Sequence, residues 1–409
     1  MINQQKKSYF SFVFSLKERA YVEGNREVIH SIKVGIALVL VSILYLLDPP
    51  FQRVGENVMW AIMTVVVVFE FFAGATLSKG INRGIGTIIG GGLGCCAAIL
   101  ANQKGEMFEA IVVGSSLFIS GSVATYMRQI PRIKKRYDYG VMIFILTFNL
   151  VLVTAVRSDS IVELVMKRFS TVGMGLAICI CTSILIFPMW ASDELHYSTA
   201  IKFEKLASCV DGCLEEFCRT SNDTDVENRQ STIVQACKSV LHSKANEESL
   251  ANFARWEPWH GKFGFFHPWK NYLNIGEILR ELAAIIFTLN GYLRSSKKTL
   301  SVMSQAVKEP NEIMMLSLGW ILRELGESIK NMKQCRASAL ITPKLQSMKL
   351  QLNLMYSSNS MIEALENDEN LKITCNSLLM EIVEKMDLLV KEVEELGELA
   401  NFQIKKLDV

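Results

Sequence analysis

The chain has 409 residues, 50 % of them hydrophobic and 21 % charged, with a formal net charge of +2 and a mean hydropathy of +0.25. That balance is too apolar for an ordinary soluble protein and too charged for one held wholly in a membrane, so the apolar residues must be unevenly placed. The basic residues form no arm with interleaved aromatics, so no nucleic-acid partner is expected.

Residues 1–33 read as a cytosolic N-terminal segment. Its apolar run, Ser8 to Leu16, follows Lys6 and Lys7 without a small-residue cleavage site, so no cleaved signal peptide is expected. Phe10, Phe12 and Phe14 suit a membrane surface. Residues 34–190 form a transmembrane domain of six apolar segments: Val34–Leu47, Val58–Ala75, Ile85–Ala101, Ala110–Met127, Gly140–Val156 and Ser170–Trp190. Several fall short of ~20 residues, so their ends borrow loop residues or lie where protein lines them.

Between Val34 and Trp190 there are 12 Lys and Arg against 8 Asp and Glu, so the most hydrophobic part of the chain is also its basic part. Lys6, Lys7, Lys17, Arg19, Arg26 and Lys33 precede the first span. Lys79 and Arg83 lie between the second and third, and Arg128, Arg132, Lys134, Lys135 and Arg136 between the fourth and fifth. The alternate connections carry only Arg53, Lys104, Arg157, Lys167 and Arg168. Positive residues stay on the cytosolic side, which predicts both termini there.

From Ala191 to the end, residues 191–409, amphipathic patterns replace membrane-length runs, as in Leu195, Phe203, Leu206, Val210, Leu214 and Phe217. This predicts a cytosolic helical domain. Ser221–Asn228 reads as a loop, and Glu257–Asn271 as a Pro-, Gly- and aromatic-rich connector. Leu379, Ile382, Met386, Leu389, Val393, Leu396 and Ala400 make a heptad-like stripe, open to packing within the domain or to a dimer contact. Ten cysteines without a CxxC pair suit a reduced, cytosol-facing location, with no metal and no cofactor. The five histidines show no metal spacing and no nucleophile has an evident base, so no enzyme is expected.

Six spans divide into two halves of three, and an odd number per half inverts one half against the other. Arg83, in NRGIGT, leads into the third span and Arg168, in KRFST, into the sixth, so the two arginines can converge along one pathway. The alternative is that each snorkels to its own headgroup layer. An arginine inside a bilayer costs about 2.5–3.5 kcal/mol and is normally kept for a pathway or an ion pair. Its planar fork suits a carboxylate and repels cations. Lys79, one turn before Arg83, adds charge to the same side. Glu70, in the second span, reads as the partner of a neighbouring Lys or Arg, or as a proton carrier. Asn149 reads as an interhelical hydrogen-bonding residue, while Thr64 and Thr147 need bond only their own backbones. The glycines of Ile85–Gly94 serve close helix packing or expose backbone amides to an anion.

The runs MWAIMTVVVVFEFFAGATLSKGINRGIGT, IPRIKKRYDYGVMIFILTFNL, WASDELH and FARWEPWHGKFGFFHPWKNYL resemble the aluminium-activated malate transporter family. The resemblance covers roughly residues 25 to 300, with EKMDLLVKEVEELGELANF similar to the end of some members. It implies a plant homodimeric anion channel in the plasma or vacuolar membrane, with six transmembrane helices per subunit, the path formed between subunits, and malate among the anions carried. It implies pore roles for Arg83 and Arg168, a gate or pore-lining place for Trp60 of the MWA motif, and a cytosolic-domain role for the WEP motif, Trp256-Glu257-Pro258. Aluminium-responsive members carry an acid just before the second span, where this chain has Gln52 and Arg53 beside Asp48 and Glu56, with Asp159 and Glu163 before the sixth. A hard trivalent cation needs clustered oxygen ligands, so activation by aluminium is not expected. Nor is regulation through the longer Ser-rich, acidic C-terminal region of many relatives.

The favoured function is passive flow of malate-like anions. A coupled organic- or aromatic-acid exporter is the alternative, and a membrane-anchored structural or signalling protein the third class.

Overall fold

A computed structural model describes residues 23–47, 58–102, 106–155, 161–218, 226–264, 266–295, 305–334, 338–359 and 368–403. Asp48, Gln52, Arg53, Glu56, Lys104, Arg157, Asp159 and the N-terminal phenylalanines lie outside the described residues. The chain divides into two compact units, Met1–Trp190 and Ala191–Val409.

The first unit contains α1 (Glu23–Leu47), α2 (Val58–Val68), α3 (Ala73–Ala101), α4 (Glu106–Gln129), α5 (Pro131–Ala155) and α6 (Ile161–Leu185). All but α2 are long and apolar enough to cross a membrane, and their windows are only 6–39 % buried within the chain, leaving apolar faces for lipid. The second segment departs from expectation. Instead of one helix over Val58–Ala75, α2 stops at Val68 and α3 starts at Ala73. At the break the Glu70 N–H donates to Thr76 Oγ1 at 3.0 Å, and the Ala73 N–H to the Met189 carbonyl at 2.9 Å, which satisfies groups a helix break would strand. His30 of α1 packs on Phe69 and Phe71 with ring centroids 5.8 and 5.6 Å away.

The break moves Arg83 from the head of a helix to its eleventh residue, because α3 begins 12 residues earlier than the apolar run that starts at Ile85. Arg168 likewise lies inside α6, which begins at Ile161 and not at Ser170. Hydropathy hid both starts, since polar and basic residues interrupt each run while the helix continues through them.

Packing follows a two-fold pattern. Exchanging α1 with α4, α2 with α5 and α3 with α6 turns each packed pair into another packed pair: α3–α5 into α6–α2, α4–α5 into α1–α2, α3–α4 into α6–α1, and α3–α6 into itself. Glycine sets the tightest pair, because a Cβ at Gly86 would collide with the Gly140 carbonyl of α5 and one at Gly90 would lie 2.8 Å from the Phe144 carbonyl. Without side chains there, the α3 and α5 backbones touch. Close packing is therefore the use of these glycines, and Gly92 alone of the GGG run meets nothing within 4 Å.

The second unit holds α7 (Ala191–Cys218), α8 (Val226–Leu241), α9 (Lys244–Ala254), α10 (Trp269–Ser295), α11 (Gln305–Asn331), α12 (Ser338–Asn359) and α13 (Asp368–Leu399). Helix α7 is central, packed on α8, α9, α10 and α11. It buries Leu195, Phe203, Leu206, Val210 and Phe217, with Cys213 taking the core place expected for Leu214. Helix α8 begins at Val226, inside the stretch read as a loop, and residues 219–225 lie outside the description. Glu247 of α9 pairs with Lys202 of α7 and Arg280 of α10, tying three helices at one buried carboxylate. The heptad-like stripe of α13 is covered within the unit, where Leu379, Ile382, Met386, Leu389, Val393 and Leu396 are buried against α10, α11 and α12. The dimer contact is thereby the reading the fold displaces.

Candidate functional site: two arginines at one cavity

Arg83 of α3 and Arg168 of α6 meet at one small cavity of about 20 Å3, room for a single water. Trp60 of α2, Thr87 of α3, and Ile143, Leu146, Thr147 and Leu150 of α5 complete its wall. The convergence expected from the two halves is present, and Trp60 stands with the arginines.

Each arginine meets an aromatic residue from the second helix of the opposite half. Arg83 Nη1 donates to the Tyr139 hydroxyl of α5 at 3.2 Å, and the Arg168 guanidinium lies 4.8 Å from the centre of the Trp60 ring of α2. Arg83 is only 5 % exposed. Among the described residues neither arginine has a carboxylate within ion-pair distance, and the buried Nε of each lacks a hydrogen-bond partner. A buried cation, Arg83, and a half-buried one, Arg168, each with a buried unused donor facing one space, are costly unless an anion visits them. This is the chemical content of the site.

Lys79 and Glu70 behave differently. Lys79 forms an ion pair with Glu70 across the α2–α3 break, so its charge is matched, and its Nζ lies 5.9 Å from the Tyr139 ring. Glu70 is thus the partner of a neighbouring lysine, and Lys79 reaches the arginines only through Tyr139. Thr64 bonds its own backbone at the Trp60 carbonyl, 2.6 Å away. Thr147, read as needing no role, lines the arginine cavity. Asn149 finds no interhelical partner among the described residues. It lines a recess of about 550 Å3 with Met142, Ile145 and Val153, and that recess shares Ile143, Leu146 and Leu150 with the arginine cavity.

The sequence reading missed Tyr139 and Thr87. A tyrosine one turn from Arg136 at a span end looks like an interfacial anchor, and only the α3–α5 contact turns its hydroxyl toward Arg83. Thr87 carried a usable signal, since it lies four residues after Arg83 on the same helix face.

In the second unit the WEP motif has a definite task. The Glu257 carboxylate accepts from the N–H groups of Ala191 at 2.6 Å and Ser192 at 3.2 Å, capping α7 from 65 residues away in sequence. Burial pushes its pKa up, while these bonds pull the other way. His260 Nδ1 lies 2.7 Å from the Pro258 carbonyl, to which it donates, and Nε2 lies 2.9 Å from the Ser192 hydroxyl. Trp256 is half-buried. Behind this cap Phe263, His267, Trp269, Tyr272 and His196 stack with centroids 4.6–5.8 Å apart. Burial lowers His267 to about 4, the neighbouring His196 adding to the effect.

Five long apolar helices and one short one, packed as two matching triplets around Arg83 and Arg168, define an all-α multi-pass membrane protein. More particularly, the chain belongs to the aluminium-activated malate transporter family, whose profile, "Aluminium activated malate transporter", matches residues 20–371. It is 40 % identical over 387 residues to Aluminum-activated malate transporter 2 of Arabidopsis thaliana, covering 94 % of this chain and 77 % of that protein. It is 41 % identical over 332 residues to Aluminum-activated malate transporter 14 of the same plant, covering 80 % of this chain and 60 % of the relative's length. Aluminum-activated malate transporter 1 of Triticum aestivum is 36 % identical over 394 residues, 93 % of this chain and 84 % of that protein.

Proposed function

We propose that the chain conducts malate and similar small organic or inorganic anions passively across a plant membrane, with Arg83 and Arg168 as the attracting charges. The observation that carries this reading is the convergence of buried Arg83 and half-buried Arg168, without carboxylate partners among the described residues, on one cavity beside Trp60. A dianion with two carboxylates matches two guanidinium forks, and a fixed positive field excludes cations. The arginine cavity is too small for a through-path within one chain, whereas the adjoining recess on α5 is some 550 Å3 and open. A second copy of the chain facing that recess would complete the path, which supports a homodimer with conduction between subunits. The names of the relatives support malate as a substrate. Residence in the plasma or vacuolar membrane is what membership of the family implies, and both termini in the cytosol follows the distribution of Lys and Arg among the connections.

The broken helix favours a second reading, a proton-coupled acid exporter, because discontinuous helices and a carboxylate such as Glu70 at the break are transporter features. Currents recorded with malate, chloride and nitrate in turn separate the two. For a channel the reversal potential follows the anion gradient at any pH. A reversal that moves with the proton gradient at fixed anion gradient supports the exporter and removes the passive reading.

A further inference from the structure

A second apolar cavity of the first unit lies away from the arginines. It is a groove of about 820 Å3 between α3, α4 and α5, open on the outer side, running from Asn82 to Leu100 along α3. The eighteen helical steps from Asn82 to Leu100 rise about 27 Å, close to the ~30 Å of a bilayer's hydrocarbon core. Its walls are aliphatic and aromatic, with Ile89, Leu93, Ile119, Val123 and Phe148 among them, and Ser120 within it bonds its own helix at Leu117. One end of the groove is fixed to a strongly basic turn. From Arg128 to Asp138 the sequence holds five basic residues and one acid. Arg128 forms a two-pronged bond to Asp138, at 2.7 and 3.2 Å, and the side chains of Arg132, Lys134 and Arg136 are exposed at the surface. The groove reaches this charge through two contacts. Arg136 stacks on Tyr137, which lines the groove, with 5.4 Å to the ring centre, and Asn82 at the groove end donates to the Arg136 carbonyl at 3.2 Å.

We propose that this groove binds an anionic phospholipid, an acyl chain lying along α3 between α4 and α5 and the phosphate headgroup resting on Arg132, Lys134 and Arg136. Position among positive residues alone would explain a basic turn, but not why the turn is joined to the mouth of a large apolar groove. An acyl chain suits the apolar walls and a phosphate complements the positive charge of the turn, and one phospholipid offers both at the observed adjacency. The site lies on the α4 side of α3 and α5 and shares no lining residue with the arginine cavity. The inference therefore stands whether or not the chain conducts anions.

The test uses full-length protein purified in mild detergent. It measures lipid retention by native mass spectrometry with phosphatidic acid, phosphatidylcholine of the same acyl chains, and glycerol 3-phosphate. Phosphatidic acid should be retained roughly tenfold more than phosphatidylcholine, and glycerol phosphate should not bind. R132Q/K134Q/R136Q should bring phosphatidic acid down to the phosphatidylcholine level. I119W or V123W should reduce retention of both lipids, since both side chains line the groove and are largely exposed, so neither replacement disturbs the fold. Equal retention of the two lipids, glycerol phosphate bound as well as the lipid, or retention unchanged in both sets of variants would overturn the proposal. So would crosslinking between two copies through cysteines placed at Ile119 and Val123, because a second chain would then occupy the groove.

Discussion

Replacing Arg83 with Ala tests the central claim because its two consequences have opposite signs. The guanidinium is buried and, among the described residues, bonded only to the Tyr139 hydroxyl and without a carboxylate partner, so its removal relieves an unmatched charge and should not lower the protein's stability. For conduction the loss is large. At about 6 Å and an effective dielectric of ~40, one charge attracts a monovalent anion by about 1.4 kcal/mol and a dianion by about 2.8 kcal/mol. Occupancy of the constriction should therefore fall roughly 10-fold for chloride and roughly 100-fold for malate dianion. Voltage-clamp recordings normalised to surface protein, with the two anions in turn, read this ratio directly. Arg168→Ala should behave alike, and Lys at either position should fall between, keeping the charge but losing the fork. Equal attenuation of chloride and malate, or currents like the parent in both Ala variants, would refute the electrostatic role and leave the arginines as structural residues.

Gly90→Leu should disrupt the α3–α5 contact, costing at least 1–3 kcal/mol by overpacking against the Phe144 carbonyl, whereas Gly92→Ala, in open space, should raise stability by up to ~1 kcal/mol. Thermal unfolding in detergent separates the two. Glu257→Ala should uncap α7 and cost about 1–2 kcal/mol, with Gln recovering part of this because it can still accept one of the two N–H bonds, as read by melting of the full chain. The His267 ring is neutral when folded, with a pKa near 4 against 6.5 for a free ring, so the unfolded chain takes up a proton between those values that the folded chain refuses. Stability should fall as pH drops from about 6.5 to about 4, by ~1–2 kcal/mol for a partly exposed ring, and His267→Gln should flatten that step in melting curves.

What the sequence determined on its own are the properties that depend on neighbours along the chain. Five of the six apolar segments fall on long helices, because hydropathy over a membrane-length window is a local sum. Arg83, Arg168, Glu70 and Trp60 stood out because charge and aromatic residues are conspicuous in apolar runs, and the halves' symmetry was enough to bring the two arginines together. The tertiary structure alone decided how those charges are matched. It broke the second segment at Phe69, where Thr76 and Met189 supply the missing backbone partners, and so gave Glu70 to Lys79 and left the arginines without a carboxylate among the described residues. It turned Tyr139, 56 residues from Arg83, into that arginine's partner, and made Glu257 the cap of a helix 66 residues upstream. The α13 stripe carries the same lesson. Its spacing specifies an apolar face, but only the placement of α10, α11 and α12 decides that the face is covered from within. Burial and pairing are properties of three-dimensional proximity, and a one-dimensional pattern fixes which residues need a partner without fixing which partner they find.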